Sequence, residues 1–106
     1  MPRYMYQASY TAEGFQGVLK EGAKKRVAHF RELFKKQGGT LETMDWAFGD
    51  ADVFVIGELP DNATAAAVSM AVSTAGVAHV KTVVLLTAGE IDSAAKIEVG
   101  FRAPGT

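Results

Sequence analysis

Trp46-Ala47-Phe48-Gly49-Asp50-Ala51-Asp52-Val53-Phe54-Val55-Ile56-Gly57-Glu58-Leu59-Pro60 holds two apolar runs with only Gly49-Asp50 as a turn between them. Each run has the length of a strand, and Gly and Asp tolerate the left-handed backbone that a two-residue hairpin demands. Such a turn pairs Phe48 with Ala51, Ala47 with Asp52, and Trp46 with Val53. Leu59-Pro60-Asp61-Asn62 then breaks the second run and opens a helix. No catalytic signature accompanies the hairpin.

Upstream, Arg3 to Tyr10 alternates and is rich in Tyr, which suits a strand. Thr11 to Glu13 offers a hydroxyl cap and an acid, but Gly14, Gly17 and Gly22 predict only short or broken turns there. The firm helix is Ala23 to Gln37, where Ala23, Val27, Phe30 and Phe34 form one stripe on a 3.6-residue period. Gly38-Gly39 stops it. Thr40 to Phe48 and Asp52 to Glu58 are the hairpin strands. A second helix, capped by Asp61 or Asn62, runs to about Ala75 and stops at Gly76. Val77 to Leu86 is a fourth strand. Thr87-Ala88-Gly89-Glu90 is a capping-box sequence that predicts a third helix over Ala88 to Lys96. The tail from Glu98 reads as irregular.

The order is βαββαβ, the split arrangement of an α+β, ferredoxin-like fold: a four-stranded antiparallel sheet with both long helices on one face. The 106 residues make one domain, with the core fold and short helix over 1–97 and a tail over 98–106. Phe48-Gly49-Asp50-Ala51-Asp52-Val53 resembles the signature of the GYD-domain family. Pro2 to Gln7, Tyr10 to Gly14, Leu59 to Asn62, Leu85-Leu86-Thr87 with Glu90-Ile91-Asp92, and Val99 to Arg102 are similar to the same family's pattern. Ala51 stands where that family carries its signature tyrosine. The resemblance implies a ferredoxin-like domain related to the dimeric α/β barrels, and it implies no reaction.

Hydrophobic residues make up 48% of the chain, ample for one core, and there is no cysteine for a disulfide or a thiolate metal site. No apolar leader follows the start, and nothing approaches the ~20 apolar residues of a membrane span, so a cytoplasmic protein without membrane contact is expected. Met1 to Gly39 carries eight bases and three acids, while the remainder carries three bases and nine acids. The basic stretch, with Lys24, Lys25, Arg26 and Arg31, reads as a solvated helix face; no nucleic-acid motif accompanies it. The two histidines are fifty residues apart, no phosphate loop is present and no serine sits in a nucleophile elbow. Neither metal nor cofactor is implied.

A sheet covered on one side should alternate apolar and polar. Val53 to Ile56 and Val83 to Leu86 are apolar at every position, so something covers the second face. The simplest cover is a second copy of the sheet, giving a homodimer or larger oligomer of the dimeric α/β-barrel type. The topology brings Asp52, Ser9, Tyr10 and His79 to one end of the sheet, with Gln7 and Lys81 one step further in. A polar cluster at the mouth of an apolar cavity is a common ligand-pocket design. Gln7, Tyr10, Trp46 and Lys81 are the candidate ligand-binding residues for a small apolar or anionic ligand. The function read from this is an oligomeric small-molecule-binding or sensing domain with its pocket on the open sheet face. The alternative is a cofactor-independent isomerase or oxygenase, with catalytic His79 as general base and Asp52 as its orienting carboxylate. Ala51, at the hairpin tip on Trp46's face, is expected to be exposed.

Overall fold

The computed structural model describes residues 1–106. The elements are β1 (Arg3–Tyr10), α1 (Ala12–Glu21), α2 (Ala23–Lys36), β2 (Thr40–Trp46), β3 (Val53–Glu58), α3 (Asn62–Thr74), β4 (Ala78–Leu85) and α4 (Ala88–Ala95). All strand pairs are antiparallel in the order β2-β3-β1-β4, so the fold is α+β around one open sheet. Trp46 pairs with Val53, the register expected, but the strands stop there. Residues 47–52 connect them, Asp50 has no positive φ, and the loop is closed by the Ala47 amide donating to the Asp52 carbonyl at 2.9 Å, so the connection is longer than the two-residue turn expected.

β1 is the organising strand. Tyr4, Tyr6 and Ala8 are buried on one side, while Met5, Gln7 and Ser9 face the other and are half-buried. Tyr6 meets both long helices: its ring lies edge-on to Phe34 of α2, and its hydroxyl donates to the Ala65 carbonyl of α3 at 2.7 Å. Both helices therefore cover the same face. The core consists of this stripe with Leu41, Met44, Val53, Val55, Phe34, Leu59, Ala65, Val68 and Ala78. Around β2 the register shifts between Leu41 and Thr43. The intervening Glu42 sends its carboxylate back to the Arg3 guanidinium, with two contacts of 2.8 Å.

One expected element is different. The segment after β1 is a continuous ten-residue helix, not a set of broken turns. Thr11 caps it by accepting the Gly14 amide. Gly14 is there because a Cβ would stand 1.9 Å from the Val77 carbonyl oxygen; the glycine permits close packing and does not interrupt the helix. Gly22, at φ +99°, ends α1 and starts α2. No helix is long and apolar enough to cross a membrane.

Gly57 is the tightest point of the hairpin against α2. A Cβ there would lie 2.5 Å from the Thr40 carbonyl oxygen and 2.7 Å from the Phe34 ring. Gly57→Ala is expected to cost about 1–3 kcal/mol through overpacking. Thermal denaturation should show a drop of several degrees, at about 4–8 °C per kcal/mol for a domain near this size.

Candidate functional site

The helices do not close completely over the sheet. α2 packs on β2 and α3 on β4, with the central strands between them. Between the helices and the sheet several inner side chains are short: Ala8 on β1, Val53 and Val55 on β3, Ala78 on β4. They leave a cavity of about 70 Å³ roofed by Phe30 of α2 and by Val68 and Val72 of α3. One water needs only about 10–15 Å³, but an apolar site offers it few partners and instead favours an apolar guest. Thirteen residues line the cavity and twelve are hydrophobic; the exception is Arg26.

Arg26, Tyr10 and Val77 also border a groove of about 450 Å³ beside α1, so they form the boundary between cavity and surface. The Arg26 guanidinium lies 5.4 Å from the Phe30 ring centroid, and its Nη1 is 3.3 Å from Glu21 Oε1. Opposite, the Tyr10 hydroxyl accepts the Trp46 indole N–H at 3.2 Å and has no acceptor of its own. Burial pushes the Tyr10 phenol up, while the Trp46 hydrogen bond and the Arg26 charge pull it down. A half-buried guanidinium and an O–H donor thus flank the way into an apolar chamber. Such a site suits a small apolar molecule with an anionic end.

The residues predicted from sequence divide between two faces. Gln7, Ser9, His79 and Lys81 do come together, in a shallow depression on the open face. His79 and Lys81 are exposed there. Tyr10 and Trp46 are on the helix side. Asp52 does not orient His79. Its Oδ2 accepts the Tyr10 backbone N–H at 2.8 Å, while its own amide donates to the Ala8 carbonyl. It therefore fastens the hairpin tip to β1. A bend at Asp52 also interrupts the alternation, so Ala51 borders the His79 depression and Asp52 borders Trp46. Ala51 is half-buried rather than free at the tip. Arg26 was missed, because one arginine in a basic run looks like a solvated side chain. The available signal was its position four residues before Phe30, at the edge of the apolar stripe.

Two outcomes are expected. Asp52→Ala should cost about 1–3 kcal/mol, because it leaves the half-buried Tyr10 amide without its acceptor. His79→Ala should stay within about 0.5 kcal/mol, as for an ordinary surface change; denaturant titration of both variants measures this contrast. Burial, with a smaller contribution from Tyr4, pushes the Tyr6 phenol up to about 12. The unfolded chain loses that proton nearer pH 10, so stability is intact below about pH 10 and falls as pH rises toward 12. Absorbance titration should show Tyr6 phenolate appearing together with unfolding, and Tyr6→Phe should soften that alkaline edge.

Comparison with curated proteins and with solved structures returns no match. The family model described as GYD domain matches residues 4–95 of the 106. That span runs from β1 through both crossovers and the hairpin into α4, and the chain belongs to the GYD domain family.

Proposed function

We propose that this protein is an oligomeric small-molecule-binding domain of ferredoxin-like fold. Its ligand sits between the sheet and the helices, with an anionic end at Arg26. The observation that carries the reading is the apolar cavity with a single cation at its boundary. A solvent-accessible ion pair such as that of the half-buried Arg26 with the exposed Glu21 contributes only about 0–1 kcal/mol, so a ligand anion can displace Glu21. The Tyr10 O–H supplies a second donor. This moves the pocket from the open sheet face to the covered one, with Tyr10 beside it and Trp46 as its neighbour.

The open face supports the oligomeric part. Met5, Phe54 and Ile56 are only half-buried there, and Val83 is 38% exposed. A second copy applied face to face covers them, in the manner of a dimeric α/β barrel. An isomerase or oxygenase built on His79 has less support, because Asp52 is engaged by the Tyr10 amide and His79 has no carboxylate partner.

Hexanoate and 1-hexanol separate the contributions of chain and charge. Hexanoate should bind about 10-fold or more tightly than hexanol, the worth of one charge-assisted hydrogen bond. Trp46 fluorescence, backed by calorimetry, reads both. Arg26→Gln should abolish the difference, and Ala78→Leu should weaken both ligands by filling the chamber. Binding of neither ligand, or hexanoate binding indifferent to Ala78→Leu, would contradict the proposal.

A further inference from the structure

Beyond β4 the chain leaves its own domain. Every residue from Leu86 to Thr106 is exposed, including Ile91 at 52%, Ile97 at 67%, Val99 at 81% and Phe101 at 80%. The radius of gyration is 16.9 Å and the longest extent 57 Å. A chain of this length folded on itself would have a radius near 13 Å. The projecting segment is nonetheless built as structure. Thr87 and Glu90 form a reciprocal capping box, with Glu90 N to Thr87 Oγ1 at 3.1 Å and Thr87 N to Glu90 Oε1 at 3.0 Å. An eight-residue helix is marginal in water without a surface to pack on. This arm offers apolar side chains, and its own domain provides no such surface.

We infer that the arm, residues 86–106, packs against a second copy of the chain and seals the margin of the shared sheet face. The inference rests on the reading that a second copy covers that face. Area makes the arm necessary. Four strands at about 4.8 Å spacing and eight residues at about 3.3 Å rise give a face of roughly 500 Å². Two such faces bury roughly 1,000 Å² in total, only the threshold for a specific interface, against about 1,600 Å² for a standard one. The two arms supply the remainder, and they bring Ile91, Ile97, Val99 and Phe101 out of water at the same time. The exchange is reciprocal, as a two-fold dimer requires: each copy gives an arm and receives one.

The chain has no cysteine, so Val99→Cys creates a unique attachment point for a spin label. Spin-labelled copies without isotope are mixed with ¹⁵N-labelled copies that carry no spin label. Broadening of amide signals in the ¹⁵N copies at Met5, Phe54, Ile56 or along β4 is expected; its absence overturns the inference. Sedimentation equilibrium on the full chain provides the second arm of the test. Replacing Ile91, Val99 and Phe101 together by Ser should weaken dimerisation about 100-fold or more while leaving the far-ultraviolet spectrum of the domain largely unchanged. A wild-type chain that remains monomeric overturns the two-copy reading itself. A wild-type dimer with an unaltered triple variant overturns the arm alone.

Discussion

β1 is hydrogen-bonded along both edges and divides its side chains between two environments, and the rest of the structure follows from that division. Toward the helices it presents Tyr4, Tyr6 and Ala8; away from them, Met5, Gln7 and Ser9. Tyr4 and Tyr6 are long enough to reach α3 and donate their hydroxyls to Asn62 and Ala65, at 2.6 and 2.7 Å. Ala8, one step further along, reaches nothing. Ala8 borders the cavity between Tyr6 and Tyr10, and its short side chain leaves space there.

Polar groups gather at the end of the sheet where β1 ends and β3 and β4 begin, because backbone groups beyond the strand ladders need other partners. Asp52 supplies one to Tyr10, Ser9 donates to the Asp50 carbonyl at 2.6 Å, and Thr11 accepts from Gly14 while its amide donates to Val77. These contacts join the hairpin tip and the start of α1 to the neighbouring strands at the end of the sheet where Tyr10 borders the cavity. Arg26 reaches from α2 with its guanidinium 5.4 Å from the Phe30 ring centroid and beside Glu21 at the edge of the groove. The result is an apolar interior beside a cation, bordered on the sheet side by several short side chains.

Much of this was legible in the residues. The alternation of Arg3 to Tyr10 marks β1, the register of Trp46 on Val53 agrees with a hairpin centred on Gly49-Asp50 although its loop is longer than two residues, and Gly38 and Gly76 adopt the positive φ that ends a helix. Each rests on local chemistry. What escaped the sequence depends on neighbours. α1 was underrated because Gly14 looks like a breaker until Val77 is seen against it. Asp52 and Ala51 exchanged sides because one bend cancels the period-two rule. The cavity is bordered by residues of β1, β3, β4, α2 and α3, a juxtaposition that no periodicity records, and without it Arg26 is indistinguishable from Lys24 and Lys25. Of the candidate residues, Gln7, Ser9, His79 and Lys81 share the open face, while Tyr10 and Trp46 lie on the helix side.

The central claim is that a small apolar anion enters between sheet and helices. Methyl and amide NMR of the labelled protein during hexanoate titration tests this most directly, because the two faces have different reporters. The account predicts shifts at the methyls of Val53, Val55, Val68 and Val72 and at the Trp46 indole N–H, with saturation at one ligand per chain. Shifts confined to Gln7, Ser9, His79 and Lys81, with the cavity methyls unmoved, would contradict it and return the site to the open face.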